Sequence, residues 1–307
     1  MFKDYLFNNA RFLRLTAGRE KPHPYWSTEN QILLQKQTLS LHHFPHRKIK
    51  QKTPVLILPP QAGNHCNLAD FAPDQSLVRV FQKHGFDVYV TEWLSATYHD
   101  KDLGIEDYVN LTDDAVNAIC RQTGAECVHL VGQCQGGWQA AMYSSLHPEK
   151  IKSLFIAAAP IDLEADSCAI TEYVKMPISY YQALVSLGFG LMDGKIMVMG
   201  FKSLQIDQHY HLKYKLLWDM IENNDEDGIQ RYLRFENWYG YTQKLPGRFY
   251  LEVVNDLFKK NGLVKKRFRF NNKVVDLHNI KCRTIILAGD KDHITTPRQV
   301  FALKDHV

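Results

Sequence analysis

Apolar residues follow two alternating rhythms along most of this chain. "TLSLHHF" (residues 38–44) alternates apolar and polar positions with the period of two of a half-buried strand. "TPVLILPP" (53–60) is a continuous apolar run closed by two prolines, as in a strand buried on both faces. "DQSLVRVFQKHG" changes period, with Leu77, Val80 and Phe81 on one predicted helical face and Gly85 as the helix stop, before "FDVYVTEW" resumes as a strand. The unit recurs. "IEDYVNLTDDAVNAICRQTG" places Tyr108, Leu111, Ala115 and Ile119 on one stripe; "CVHLVGQ" reads as a strand, "GWQAAMYSSLHP" as a helix, "SLFIAAAP" and later "RTIILAGD" as strands. Strands alternating with helices imply a parallel sheet covered on both faces.

Between "AAAP" and "RTIILAGD" lie more than a hundred residues without that rhythm, rich in Tyr, Trp, Leu and Met. An insertion of this kind between two sheet strands predicts a helical cap, whose aromatics either line a substrate channel or pack the cap itself. The organisation expected is a basic N-terminal arm with the first strands (1–53), a core (54–164 and 276–307) and a cap (165–275).

Charge changes this picture at one end. The net charge is +4, but residues 1–52 hold ten lysines and arginines against three acids. Such an arm either touches nucleic acid, lipid headgroups or an acidic partner, or is simply solvated. The start, "MFKDYLFNNARFLRL", has no apolar core ending in small residues and does not read as a secretory signal. The most apolar stretch, "GFGLMDGKIMVMGF", is broken by Asp193 and Lys195 and predicts no transmembrane helix. Six scattered cysteines without CxxC spacing fit reduced thiols in a cytoplasm.

The candidate chemistry is concentrated in "VGQCQGGWQA". Gly132 and Gly136 flank Cys134 at −2 and +2, where a buried strand hands over to a helix, which is the setting of a nucleophile elbow. In that sharp turn the nucleophile adopts a strained backbone and bulky neighbours collide, so glycines are mechanically required. The helix N-terminus is expected to favour the thiolate of Cys134. The N–H of Gln135 supplies one oxyanion donor, and the loop "PPQAGNH" the second, from the backbone of Gln61 or Ala62. A carboxylate is expected after the penultimate strand; in "RTIILAGDKDHITTP" the Gly-x-x-Asp-x-(Ile/Val) arrangement selects Asp292, with Asp290 as a turn residue. The predicted fold is the α/β-hydrolase fold: a mostly parallel sheet, helices on both faces, and an inserted helical cap.

Together, "GQCQGGW", "DFAPDQSLVRVF", "GFDVYVTEW", "EDYV" and "GDKDHIT" resemble the polyhydroxyalkanoate synthases and their relatives, the intracellular polyhydroxyalkanoate depolymerases and related α/β hydrolases. The resemblance implies a Cys–His–Asp triad in which Cys134 and Asp292 match the nucleophile and the acid. It also gives a thiol a purpose. Moving a hydroxyacyl group from the sulfur of coenzyme A to a cysteine is nearly isoenergetic, and the acyl thioester stays reactive toward an incoming hydroxyl. Three functions stay open: synthase-like acyl transfer from hydroxyacyl coenzyme A, hydrolysis of the polymer or of a thioester, and non-catalytic binding of granules or lipid. The partners implied are hydroxyacyl coenzyme A or the polymer, with a granule surface and self-association further expectations. Coenzyme A would be a substrate, and no resident cofactor is expected.

The triad's histidine is expected after one more helix and strand, roughly 20–30 residues beyond the acid. Fifteen residues follow Asp292. His293 adjoins the acid and His306 falls on the helix beginning near Pro297, so the sequence is read as lacking the base, as a fragment or as an inactivated copy. "HHFPH" (His42, His43, His46), "HYH" (His209, His211) and Cys66 lack metal-ligand spacing, and no metal site is expected. His65, in the oxyanion loop, is either a substrate contact or an ordinary loop residue. "FKKNGLVKKRFRFNNK" gathers Lys259, Lys260, Lys265, Lys266, Arg267, Arg269 and Lys273, a patch for substrate phosphates, a granule coat or RNA, or a lysine-protected hairpin edge; no specific nucleic-acid binding is expected.

Overall fold

The computed structural model describes residues 2–17, 23–203 and 211–307. Seven strands, β1 Gln31–Lys36, β2 Leu39–Phe44, β3 Val55–Leu58, β4 Val88–Trp93, β5 Val128–Gln133, β6 Ile151–Ala157 and β7 Arg283–Leu287, form one sheet in the order β1-β2-β4-β3-β5-β6-β7. The pairs β1/β2 and β2/β4 are antiparallel and the rest are parallel. The central strands β3 and β4 are buried on both faces, β3 as its unbroken apolar run requires and β4 with Thr91 and Glu92 among its buried residues.

The helices that cover the sheet follow the sequence, with one correction. Helix α1, Phe2–Thr16, precedes the sheet; α2, Leu77–Lys83, is capped by Ser76, whose Oγ accepts from the N–H of Arg79. The face of α2 that meets the sheet carries Val78 and Gln82, whereas Val80, expected inward, is 51% exposed. The buried Gln82 explains the shift. Its amide donates to the Phe44 carbonyl at 3.0 Å, a role that a count of apolar positions does not register. In α3, Ile105–Thr123, the predicted stripe of Tyr108, Leu111, Ala115 and Ile119 is buried. Helix α4, Gln135–Leu146, is buried along nearly its whole length.

Between β6 and β7 run α5 Ala169–Tyr173, α6 Ile178–Leu187, α7 Gly194–Ser203, α8 Lys213–Glu222, α9 Glu226–Gly240 and α10 Gly247–Glu252, which continues as a π-helical turn, Val253–Lys259. The last part of this insertion belongs to the main core. Phe249 of α10 packs on Tyr108 of α3, ring centroids 4.5 Å apart, and on Trp138 of α4 at 6.3 Å. Residues 2–16 of the basic arm are likewise not a free tail. Phe12 and Leu15 pack against the small apolar cluster of Leu217, Ile221 and Ile229 on α8 and α9, and Arg11 pairs with Glu226 at 2.5 Å. A spacing of three between Phe12 and Leu15 puts both on one side of α1, which is why the helix docks. Arg19 and Lys21 lie outside the described residues.

Helix α11, Pro297–Phe301, follows β7. Strand β7 pairs only with β6 among the described residues and leaves Ile285 and Leu287 about half exposed. No described helix is long and apolar enough to cross a membrane.

The Trp138 indole is wholly buried, and its N–H has no hydrogen-bond partner. Trp138→Ala should therefore cost about 3–5 kcal/mol in denaturant unfolding, through the cavity it leaves. Trp138→Phe should cost under about half of that, because it also removes the unpaired donor.

Candidate active site

Strand β5 passes directly into α4, and Cys134 at the junction has φ 51° and ψ −116°. A non-glycine residue stays in this left-handed region only when its surroundings fix it. Here the Cys134 N–H donates to the Ala157 carbonyl at 2.7 Å, and its own carbonyl accepts from Gly137 at 2.9 Å. The neighbours must be small. A Cβ on Gly136 would overlap the Leu58 carbonyl at the end of β3, and one on Gly132 would overlap the first turn of α4.

Cys134 opens onto a cavity of about 830 Å³, counting its mouth. Ala62 and Gln135 share its wall, with Ile294 from the loop after β7 and Met197, Tyr173, Phe249, Tyr250 and Phe258 from the insertion. The Tyr173 and Tyr250 hydroxyls are hydrogen-bonded to each other at 2.7 Å. Of the two residues expected to give the second oxyanion donor, only Ala62 reaches the cavity. Gln61 is buried, with its side chain turned to the Tyr108 hydroxyl. Asp292 sits in the turn after β7, where Oδ1 accepts from the N–H groups of Ile294 (2.9 Å) and Thr295 (3.0 Å). It lies close enough to Cys134 for its charge to act on the thiol; Asp290 is exposed.

The thiol itself departs from expectation. Burial pushes Cys134 up to about 11; the N–H of Gln135 works against this, and the carboxylate of Asp292 adds to it. The helix N-terminus does not leave a thiolate at neutral pH, because desolvation of the charged form outweighs one hydrogen bond.

The histidines stand elsewhere. Among the described residues none lines the cavity. His65 is buried on Glu92 (2.8 Å), His293 is exposed, and the ring of His306 packs against His278 with centroids 5.7 Å apart. His43 pairs with Asp87, His211 is exposed, and His209 lies outside the described residues. Among the described residues no group of histidine, cysteine and carboxylate side chains is arranged to hold a metal. Cys66 lies beneath the oxyanion loop, its sulfur accepting from the Trp93 N–H at 3.1 Å, and burial raises its thiol. All six cysteines are free.

The basic stretch is largely compensated. Lys260, Lys265 and Lys266 pair with Asp256, Glu164 and Asp276, and Lys259 donates to the carbonyls of Val174 and Met176. Arg269 and Lys273 sit on a two-stranded hairpin turned by Asn271 and Asn272, both with positive φ. Sequence reading missed Tyr173 and Tyr250 as wall residues, along with Glu92. Nothing in their local pattern marks them, since each reaches its place through tertiary packing.

A sheet in this order with a strained residue between strand and helix defines the α/β-hydrolase fold. The chain belongs to the family described as "Protein of unknown function (DUF3141)", whose signature matches residues 35–305. It is similar to the poly(3-hydroxyalkanoate) polymerase subunit PhaC of Haloferax mediterranei, 26% identical over 281 residues that cover 91% of this chain and 56% of that protein. The corresponding subunit of Synechocystis sp. is 28% identical over 285 residues, covering 91% of this chain and 75% of the relative. The chain thus spans little more than half the length of the Haloferax relative. A solved hydrolase of Pseudomonas aeruginosa shares the fold, with a TM-score of 0.53 at 14% identity, over 90% of this chain and 86% of that one. These findings bear out the likeness to the polyhydroxyalkanoate synthases read from the motifs.

A thiol held near 11 is protonated at neutral pH and gains thiolate only as pH rises. Alkylation of Cys134 by iodoacetamide should therefore be slow at pH 7 and accelerate by about tenfold per pH unit toward pH 10. Labelled-peptide mass spectrometry at several pH values checks this, and a plateau below pH 8 would contradict the raised thiol.

Proposed function

We propose that the protein is a cysteine-dependent acyl enzyme of polyhydroxyalkanoate metabolism, taking a hydroxyacyl group from a coenzyme A thioester onto Cys134 and passing it to a hydroxyl. The observation that carries the reading is the strained Cys134 at the base of an apolar cavity, in a chain whose relatives include poly(3-hydroxyalkanoate) polymerase subunits. In this reading the Cys134 sulfur attacks the thioester carbonyl, the carbonyl oxygen becomes an oxyanion, and the backbone N–H groups of Gln135 and Ala62 receive it. The tetrahedral intermediate collapses with loss of the coenzyme A thiolate, leaving an acyl thioester on the enzyme. A hydroxyl from a growing chain then attacks that thioester and frees the cysteine.

A raised thiol makes a general base necessary. Asp292 is the group that orients it, an imidazole that takes the Cys134 proton and later removes the proton from the attacking hydroxyl. His65, His293 and His306 are engaged elsewhere or exposed, so in this reading the imidazole comes from outside the described residues. The apolar wall suits an aliphatic hydroxyacyl chain. Leu187 and Phe189, 73% and 81% exposed, give the insertion a surface suited to a polyester granule.

The test offers the protein hydroxyacyl coenzyme A and amorphous polymer separately. Release of coenzyme A with polymer growth, abolished by Cys134→Ala, is the expected result. Release of free hydroxy acids from polymer without growth would replace transfer by hydrolysis. Inertness toward both would overturn the reading.

A further inference from the structure

Next to the oxyanion loop lies a cluster of ionisable groups that the reaction above does not use. Glu92 of β4 is 8% exposed, and each of its carboxylate oxygens meets a histidine: Oε2 the Nε2 of His42 on β2 at 2.6 Å, and Oε1 the Nε2 of His65 at 2.8 Å. The second nitrogen of each ring is also engaged. His65 Nδ1 accepts from the Asn67 N–H at 3.0 Å, so its hydrogen sits on Nε2 and is donated to Glu92. His42 Nδ1 faces Asn30 Oδ1 at 2.8 Å, and the Asn30 amide nitrogen is committed to the Thr28 carbonyl at 3.0 Å, which fixes the oxygen as the atom facing the ring. The Ser40 hydroxyl also lies 3.2 Å from His42 Nε2, but the shorter contact there is to the Glu92 carboxylate, so both nitrogens of His42 face acceptors and this arrangement places a hydrogen on each. The Trp26 indole covers both rings, with centroids 5.1 Å from His42 and 5.7 Å from His65. Burial alone would raise Glu92, but the hydrogen bonds it accepts from His42 and His65 outweigh it and hold the carboxyl below its usual range.

A buried charged cluster is a poor source of stability, since apolar side chains of similar volume often serve as well, and what it supplies here is position. His65 ends the segment that follows β3 and carries Ala62. On the far side, the same segment is gripped by the insertion. The Trp238 indole N–H of α9 donates to the His65 carbonyl at 2.8 Å; the Asn64 amide donates to the carbonyls of Tyr239 and Tyr241 at 3.2 and 3.1 Å; and the Gln243 N–H donates to the Gly63 carbonyl at 2.7 Å. Those contacts reach the segment from a part of the chain more than 170 residues away. Glu92 is the anchor on the sheet side.

We propose that Glu92 is a positioning residue for the oxyanion loop, fixing Ala62 opposite Cys134 through its hydrogen bond to His65, with His42 as its counter-charge. The catalytic part rests on the reading of Ala62 as the second oxyanion donor.

The experiment compares Glu92→Leu, which removes both hydrogen bonds, with Glu92→Gln. Glutamine keeps an acceptor for His65, and its N–H₂ bonds His42 once that ring gives up the Nε2 hydrogen. In histidine-¹⁵N NMR of the full protein, the wild type should show His65 with hydrogen on Nε2 alone and His42 with hydrogen on both nitrogens. Glu92→Gln should strip the hydrogen from His42 Nε2, leaving His65 and the backbone amide of Ala62 in place. Glu92→Leu should shift the Ala62 amide, and an unshifted amide would overturn the proposal without reference to activity. Acylation of Cys134 by a p-nitrophenyl ester reads the oxyanion hole. Glu92→Leu should lower it by at least about tenfold, a part of the 10²–10³ that loss of a whole donor costs. Alkylation by iodoacetamide needs no oxyanion donor and should stay unchanged, while Glu92→Gln should acylate within about threefold of wild type. Equal loss of acylation and alkylation, or equal loss in both variants, would show general damage and overturn the proposal. A wild type that alkylates but never acylates would sink the acyl-enzyme reading instead, while the amide shift would still decide whether Glu92 anchors the loop.

Discussion

One close approach governs this molecule. Helix α4 begins where β5 ends, and its first turn passes against the carbonyl that closes β3. No side chain fits between them, so positions 132 and 136 carry glycine, and Cys134 is left in a backbone conformation that its neighbours impose. That contact sets the rest of the site. It aims the sulfur and the first N–H groups of α4 into one space, and it fixes the end of β3, from which the facing loop departs.

The insertion closes that space without adding charge to it. Its wall residues are aromatic or aliphatic, and the polar atoms they contribute, the Tyr173 and Tyr250 hydroxyls, are spent on each other. An enclosure of this kind favours neutral species, which explains why the thiol is hard to ionise even at a helix N-terminus. Under the proposed function, the neutral thiol and the nearby carboxylate of Asp292 serve one proton-transfer arrangement.

Much of this was legible in the sequence, for physical reasons that can be named. The βα rhythm, the buried stripe of α3 and the glycine spacing around Cys134 are local consequences of burial and of a sharp turn, and local pattern records them. Val80 was misplaced because Gln82, a polar residue, occupies an inward position by satisfying a backbone carbonyl. The docking of α1 on the same chain was not among the readings of the basic arm, because its partners, α8 and α9, lie some two hundred residues away in the chain. The ionisation of Cys134 was misjudged because a helix terminus is visible in sequence, whereas the desolvation that overrides it comes from residues gathered by the fold. Glu92 left no trace at all. Its meaning arises only where β2, β4 and the loop after β3 meet.

Strand β7 has a consequence of a different kind. Among the described residues only β6 pairs with it, and Ile285 and Leu287 stand half exposed on it. Natural sheets usually guard such an edge with charge, a bulge or a covering element. Here Arg283 is the only charged side chain along the strand. An edge of this composition is suited to further strand pairing, whether with another segment or with another copy of the chain.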